Sequence, residues 1–352
     1  MLQIYTELSH YNPKQRIYLA DILRPFLPNN RFNEFGIDDD IIKLVENIED
    51  SDICLLPMAW NYYLNTNQVN KAKKIIHMAQ SENKKILVWV KGDYFISIPN
   101  YDHLISMYYS TYQSKSTDNT VPLPVIIRDP LSFLELDTIS LRAFNTTPSI
   151  GFCGQADSNM IISSIKTARL AWKNIKYFSH LSKFYPGTLT PPTYLRKKVL
   201  NILDKTDKII TDFIPRDRYM GGESKNKCAI KRLKKDFFQN IENTDYTLCI
   251  RGTGNFSARF YETLALGRIP VFINTDCILP FNNEIDWKKH LVWVEINEIN
   301  NIEEKIYTFH DSLTHNSFQL LQEENRMLWE KYFKFSGFFK QLSLYLKKEL
   351  AN

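Results

Sequence analysis

Two arginines and two glycines close together carry the residue types that bind phosphate. Arg251 and Arg259 offer planar guanidinium groups that match phosphate oxygens. Gly252 and Gly254 let a backbone approach a ligand closely and adopt positive φ. Glu262 follows Arg259 by three residues, one helical turn deeper, where a carboxylate suits sugar hydroxyls better than phosphate. The pattern predicts a nucleoside diphosphate ligand. The predicted contacts are Arg251, Gly252, Gly254, Asn255, Phe256, Ser257, Arg259 and Glu262.

The elements around these residues explain how they would be positioned. Apolar runs at 246–250 and 269–273 predict two strands. Between them Phe256, Phe260 and Leu264 share one face of a helix, which Gly267 can end in the left-handed region. The first free N–H groups of such a helix favour an anion. The alternative is that Arg259 and Glu262 form an ordinary pair on a helix surface.

The segment from Tyr246 to Phe281 resembles the signature block of exostosin-like glycosyltransferases. The matching residues, in order, are Ser257-Ala258-Arg259, Glu262, Leu266-Gly267-Arg268-Ile269-Pro270-Val271 and Leu279-Pro280-Phe281. Leu266 stands where the family usually has a small residue. Weaker likenesses at 52–57 and 148–154 extend the resemblance over most of the chain. No membrane anchor or luminal disulfide pattern is visible, so the chain is most similar to a compact bacterial-type member.

The resemblance implies transfer of a sugar from a nucleotide sugar, with uridine as the expected base. It also implies inversion, an oligosaccharide or lipid-linked glycan acceptor, and a place in cell-surface polysaccharide synthesis. Because Arg251, Arg259 and helix N–H groups can stabilise a leaving diphosphate, neither a cofactor nor a metal is expected. Two Asp-rich turns, 38–40 and 50–52, are expected to be a helix cap before Ile41 and a polar turn.

Alternating strands and helices predict an α/β fold of GT-B type, with two Rossmann-like domains facing each other across a cleft. We expect an acceptor domain at 1–145 and a donor domain at 146–335. A helix is predicted at 12–26, and strands near 1–5, 53–56, 86–90 and 124–127. The amphipathic C-terminal helix, 336–352, is expected to pack back on the first domain; the alternative is that it lies on a membrane.

The composition narrows the class of protein. The 352 residues carry a net charge of +5 and no apolar run long enough to cross a membrane. Together with the absence of a signal peptide, this favours a cytoplasmic protein that contacts the inner membrane face at most peripherally. The five cysteines have no CxxC spacing and are expected to be reduced. No nucleic-acid motif or basic stripe is found, so no nucleic-acid partner is expected.

An inverting transfer needs a base from the first domain, at the carboxyl end of a strand. Asp93 is the preferred candidate, because the turn Lys91-Gly92-Asp93-Tyr94 resembles a Gly–acidic turn of the family. Glu7 is the second candidate and Asp129 a third, and a plain turn role for Asp93 stays open. Further cleft candidates are His10, Trp60, Asn61, Tyr62, residues 151–155, Arg216, Arg218 and Tyr219.

Two other functions stay open at this point. A nucleotide-sugar epimerase of GT-B fold would share the donor pocket but would need no acceptor site. A catalytically inactive sugar-binding protein would have no reason to keep both Arg259 and Glu262.

Overall fold

A computed structural model describes residues 1–156, 160–218, 222 and 226–351. Its strands are β1 (Leu2–Thr6), β2 (Ile42–Val45), β3 (Ile53–Leu55), β4 (Ile86–Val90), β5 (Phe95–Ile96), β6 (Leu104–Tyr108), β7 (Thr120–Pro122), β8 (Ser149–Gln155), β9 (Phe184–Tyr185), β10 (Ile210–Arg216), β11 (Tyr246–Cys249), β12 (Ile269–Asn274) and β13 (Val292–Glu295). Its α-helices are α1 (Phe32–Phe35), α2 (Trp60–Asn65), α3 (Val69–Ser81), α4 (Leu131–Leu134), α5 (Met160–Phe178), α6 (Pro192–Leu203), α7 (Lys227–Glu242), α8 (Ala258–Ala265), α9 (Trp287–His290), α10 (Ile302–Asp311), α11 (His315–Tyr332) and α12 (Phe335–Ala351).

The first half of the chain forms a six-stranded parallel sheet in the order β2-β1-β3-β4-β6-β7. Every residue of β3, β4 and β6 is buried. Strands covered on both faces read as continuous apolar runs, which is why Ile86-Leu87-Val88-Trp89-Val90 shows no polar alternation. These strands form the centre of the first hydrophobic core.

The second half forms a five-stranded parallel sheet in the order β10-β8-β11-β12-β13. Tyr246 pairs with Ile269 and Cys249 with Phe272, so the two strands flanking the arginine-containing loop are neighbours. The connection between them runs through α8, as the sequence pattern predicts.

The two sheets present their carboxyl ends to each other. The segment after β6 meets the loop after β11, where the Asn255 amide N–H donates to Ser110 Oγ over 2.9 Å. A short antiparallel pair, β5 with β9, also joins the halves. Two parallel α/β units that face each other in this way form the predicted GT-B arrangement.

The C-terminal helix α12 inserts its apolar side into the first core. Phe338, Phe339, Leu342 and Leu346 are buried there, and the Phe339 ring lies edge-on to Phe32 with ring centroids 6.4 Å apart. The helix therefore crosses from the second half back to the first, with its apolar side covered by protein rather than free for a membrane. The expected division at residue 145 falls between α4 and β8.

Several predicted elements differ from the observed ones. The segment 12–26 is not an α-helix but a series of 3-10 turns, Pro13–Tyr18 and Asp21–Leu23, broken by a non-helical Gln15. No strand forms at 124–127, and the sheet is completed instead by β6 and β7. The sequence pattern predicted neither of these strands, nor β2. The Asp-rich turn at 38–40 leads into β2 and does not cap a helix.

Within the described residues no helix combines the length and apolar character needed to cross a membrane. All five cysteines are free thiols, four of them buried and Cys228 exposed.

Candidate functional site

The loop between β11 and α8 is closed by its own backbone. The Gly252 N–H donates to the Phe256 carbonyl over 3.0 Å. Neither Gly252 nor Gly254 has positive φ, so that part of the prediction is wrong, while close approach of a ligand to their backbone stays a prediction. Gly254 is needed for space, since a Cβ built there would lie 2.4 Å from the Phe256 ring, whereas the same atom on Gly252 would meet nothing within 4 Å. Gly267 does end α8 with φ +67°, as predicted.

Arg259 lies under the carboxyl ends of two strands. Its Nη2 donates to the Cys153 carbonyl of β8 over 2.7 Å, and its Nη1 to the Leu248 carbonyl of β11 over 3.3 Å. The side chain is 8% exposed, and its buried Nε finds no acceptor in the described part of the chain. Gly154 makes room for it, because a Cβ there would lie 2.6 Å from Nη2. Burial lowers the pKa of Arg259.

Arg196 of α6 reaches the same strand ends, and its place in the site was not predicted from the sequence. Its guanidinium donates to the carbonyls of Gln155 (3.1 Å), Ile250 (3.3 Å) and Arg251 (2.8 Å). Its Nε is also buried without an acceptor among the described residues. Burial, followed by repulsion from Arg259 and Arg251, lowers the pKa of Arg196 to about 9. The only signal in the sequence was a basic run, Arg196-Lys197-Lys198, within a helix.

Arg251 completes a group of three guanidinium groups. It follows β11, is 5% exposed, and donates to the carbonyl of Thr253 (3.3 Å) and to Asn255 Oδ1 (3.4 Å). Its guanidinium lies 5.9 Å from the Tyr112 ring centroid of the first half. In the described chain, Arg196, Arg251 and Arg259 form no ion pair with a carboxylate; their hydrogen bonds go to neutral groups. Three cations without an anion form a strong site for one.

Glu262 lies one turn into α8 and is partly buried. Burial raises the pKa of its carboxyl to about 7, against the opposing pull of Arg259 and Lys234. Within the described residues its carboxylate accepts no hydrogen bond from protein, so both oxygens can accept from hydroxyl groups of a ligand. Ser257, which precedes α8, likewise makes no side-chain cap, and its hydroxyl is open to a ligand.

Asn255 has a different role from the one predicted. It is fully buried, its Nδ2 donates to the Thr111 carbonyl over 2.8 Å, and its Oδ1 accepts from Thr275 Oγ1 over 2.6 Å. These contacts fasten the loop to the first half and leave the amide out of reach of a phosphate. Phe256 is half-buried and packs against Gly254.

Asp93 lies where the two halves meet. Gly92, at φ +94°, turns the chain after β4 so that Asp93 is exposed, and its Cα would lie 3.1 Å from a Cβ on Gly254. Partial desolvation raises the pKa of Asp93, which makes the carboxylate a stronger base. No hydrogen bond to another described residue occupies it.

Two side chains hold this turn in place. The Asn61 side chain forms two hydrogen bonds with the backbone of Lys91. Asn61 Nδ2 donates to the Lys91 carbonyl over 3.0 Å, and the Lys91 N–H donates to Asn61 Oδ1 over 3.1 Å. Lys91 Nζ in turn binds buried Asp21 Oδ1 at 2.8 Å. Asn61, one of the further cleft candidates, therefore positions the turn that carries Asp93.

The other two candidate bases are engaged in structural contacts. Glu7 caps the 3-10 turn Leu8–His10 by accepting from the Ser9 N–H over 3.2 Å, and hydrogen bonds from Ser9 lower its pKa. A lowered pKa makes Glu7 a weaker base than Asp93. Asp129 forms an ion pair with Arg326 at 2.7 Å.

Among the further candidates that the structure describes, Arg218 is exposed and the others are buried or partly buried. Trp60 and Tyr62 are buried in the first core, so they cannot stack on an acceptor sugar. His10 faces the Tyr63 hydroxyl at 3.2 Å. Arg216 donates to the Leu233 carbonyl over 3.2 Å. Arg218 lies beside Gly222, and Tyr219 falls outside the described residues.

Known proteins match part of this chain in sequence. Exostosin-1 from Drosophila melanogaster is 30% identical over 98 residues, which cover 28% of this chain and 12% of that protein. Human Exostosin-2 is 27% identical over 99 residues, which cover 28% of this chain and 13% of that protein. Probable glucuronosyltransferase 47 A from Physcomitrium patens is 33% identical over 63 residues, which cover 18% of this chain and 14% of that protein. The matches thus span about an eighth of these relatives' length.

Among solved structures, TarM from S. aureus, as a mutant in complex with Fondaparinux, alpha-GlcNAc-glycerol and UDP, aligns with 88% of this chain and 56% of its own. The TM-score is 0.37 and the sequence identity 10%. The family model described as the Exostosin GT47 domain matches residues 37–308, well over half of the sequence. The chain belongs to the exostosin GT47 family.

Proposed function

We propose that this protein is a glycosyltransferase that moves a sugar from a uridine-diphosphate donor to a hydroxyl of a glycan or glycolipid acceptor. The proposal includes inversion at the anomeric carbon, independence of metal, and a role in cell-surface polysaccharide synthesis at the inner face of the membrane. The observation that carries it is the group of three guanidiniums, Arg196, Arg251 and Arg259, at the carboxyl ends of β8 and β11, which has no ion-pair partner among the residues that the structure describes.

The leaving diphosphate fits this group by charge. Each of Arg196 and Arg259 keeps a buried N–H without an acceptor in the described chain, and buried polar groups are normally paired. Two negative charges placed there would satisfy these donors and relieve the repulsion that, after burial, lowers the Arg196 pKa. Since the cations come from the protein, charge stabilisation of the leaving group needs no metal in this proposal.

The nucleoside and the acceptor follow from the neighbours of the arginines. Ribose hydroxyls would donate to Glu262, whose carboxylate has no protein donor among the described residues. Asp93, across the junction, would accept the proton of the attacking hydroxyl as its oxygen bonds to the anomeric carbon and the diphosphate leaves. The plant relatives include proteins named "Probable glucuronosyltransferase", so UDP-glucuronic acid is one of the donors to test.

The experiment is a thermal-shift screen of nucleotides and nucleotide sugars against the parent and Arg259→Ala. A ligand at about 100 times its Kd stabilises a fold by roughly 2.7 kcal/mol, which is readily measured. We expect uridine nucleotides to raise Tm in the parent and to fail in Arg259→Ala. Equal shifts in both proteins would place the donor elsewhere. Release of nucleoside diphosphate that depends on an acceptor separates transfer from epimerisation.

A further inference from the structure

The helix α5 exposes several large apolar side chains on one face. Trp172 is 57% exposed, Ile175 55% and Phe178 64%, and Leu181 just after the helix is 79% exposed. Ile165, Trp172 and Ile175 are spaced at seven and three residues and so share one side of the helix. Large apolar side chains exposed together on one helix face, unlike those exposed singly elsewhere, mark an interaction site rather than a fold requirement.

Basic residues flank this face. Arg169 lies three residues before Trp172 and Lys176 four residues after it, so both neighbour the tryptophan on the helix surface; the Lys176 ammonium lies 5.3 Å from the Trp172 ring. The whole stretch 160–203 contains eight Lys or Arg and no Asp or Glu, against a net charge of only +5 for the chain. Four of these eight residues, Lys166, Arg169, Lys173 and Lys176, lie on α5, so the helix itself is basic.

The side of α5 opposite this apolar face adjoins the turn that carries the proposed base. Lys173 Nζ lies 3.0 Å from the hydroxyl of Tyr94, the residue after Asp93, and Tyr177 packs on Tyr185 of β9 with ring centroids 5.1 Å apart. One side of α5 thus rests on the junction of the two halves, and the opposite side, with Trp172 and Ile175, points outward.

We propose that α5 docks the protein on an anionic lipid bilayer, with Trp172, Ile175, Phe178 and Leu181 in the interface and Arg169 and Lys176 on the lipid headgroups. An amphipathic helix with Trp and Phe on one side and lysines beside them is suited to lie in the plane of a membrane surface. Membrane binding itself does not depend on the proposed function. The reason for it does, because a docked α5 holds Asp93 next to a membrane that could supply a lipid-linked acceptor.

The test is vesicle flotation of the full chain with phosphatidylcholine alone or mixed with phosphatidylglycerol. We expect the parent to bind the mixed vesicles and not the neutral ones, and binding to weaken as salt rises. Trp172→Ser with Ile175→Ser should lower the partition coefficient about tenfold or more. Arg169→Gln with Lys176→Gln should remove the preference for phosphatidylglycerol. Because these positions are exposed, the variants should melt like the parent.

A matched control comes from α11, where Leu320 is 52% and Met327 54% exposed. Leu320→Ser with Met327→Ser should float like the parent. The proposal is overturned if the parent ignores phosphatidylglycerol vesicles, or if the α5 variant binds them as well as the control does. It is also overturned if sedimentation velocity shows that the parent is a dimer and the α5 variant a monomer, while neither binds vesicles. The face would then bind a second copy of the chain. Nucleotide binding, measured in the same variants, reports separately on the proposed function.

Discussion

Asp93 and Gly254 belong to opposite halves of the molecule and are in direct contact, since a Cβ built on Gly254 would lie 3.1 Å from the Cα of Asp93. Two separate turns produce this contact, one after β4 and one after β11, and both strands end at the edge of their sheet that faces the other. The contact brings the carboxylate preferred as base beside the loop that carries Arg251. It makes Asp93 the side chain on which the proposed chemistry can be tested most simply.

Replacing Asp93 by Asn should lower turnover about 100-fold or more, because the substitution keeps the shape and removes the proton acceptor. Nucleotide affinity should change little, since the guanidinium group is untouched. Glu7→Gln is the matched control and should retain most activity, because Glu7 caps a 3-10 turn and accepts from the Tyr5 hydroxyl over 3.3 Å. Steady-state release of nucleoside diphosphate measures both. If Asp93→Asn kept full turnover and Glu7→Gln lost it, the base would be Glu7, which follows β1.

Arg196→Met should weaken uridine-nucleotide binding by about 2 to 3 kcal/mol through loss of a charge-assisted contact. The free protein should be no less stable, since removing one of three mutually repelling buried cations offsets the hydrogen bonds lost. Calorimetric titration and denaturant unfolding measure these opposite effects. Arg216→Met serves as control, because Arg216 pairs with the Leu233 carbonyl and lies 4.0 Å from Asp236. Equal losses in both variants would count against a site at Arg196.

Gly154→Ala and Gly252→Ala form a second matched pair. The new methyl on Gly154 would lie 2.6 Å from Arg259 Nη2 and must displace the guanidinium, whereas on Gly252 it meets open space. We expect Gly154→Ala to weaken nucleotide binding about tenfold or more, in line with one charge-assisted hydrogen bond. Gly252→Ala should bind like the parent. If Gly252→Ala lost binding and Gly154→Ala kept it, the ligand would lie on the loop and away from Arg259.

Glu262 predicts a pH dependence of stability with a definite sign. Burial raises its pKa from an ordinary 4.5 to about 7. Between these values the folded chain holds a proton that the unfolded chain has lost, so the free energy of unfolding falls as pH rises across that window. Glu262→Gln should lack this contribution and should gain stability relative to the parent as pH rises through about 7. Urea unfolding of both proteins across the window measures the difference, and parallel curves would contradict the assignment.

The same residue predicts how nucleotide binding responds to pH. Ribose hydroxyls donate to the ionised carboxylate, so the parent's affinity for a uridine nucleotide should rise relative to Glu262→Gln as pH passes from about 5 to about 8. Comparing the two proteins removes the titration of the ligand itself. An affinity ratio that stays constant with pH would show that Glu262 does not contact the ribose.

The sequence revealed the second sheet and the arginine loop more fully than the first half of the fold. The block from Tyr246 to Val271 combines a buried strand, a glycine loop, a helix with one apolar face and a second buried strand, so pattern and propensity agree. In segment 12–26 the apolar spacing is real, and Leu19, Ile22 and Leu23 are buried. The backbone there nevertheless forms 3-10 turns, because the segment between Pro13 and Pro25 is short and broken at Gln15.

The parts of the site that were missed depend on long-range contacts. Arg196 is distant in sequence from Arg251 and Arg259 and joins them only because α6 packs across the strand ends. Asn255 lies in the loop after β11 and Asn61 on α2, yet each is engaged by a segment far along the chain, Thr111 and Lys91 respectively. Spacing alone cannot tell an amide that binds a ligand from one that binds distant backbone.

The structure of the protein with a bound uridine diphosphate tests the proposed donor site most directly. We predict diphosphate oxygens within about 2.7–3.2 Å of guanidinium nitrogens of at least two of Arg196, Arg251 and Arg259, with the ribose hydroxyls on Glu262. The diphosphate should also lie on the side of the loop that faces Asp93. A nucleotide bound away from these arginines, or with its ribose remote from Glu262, would contradict the proposal.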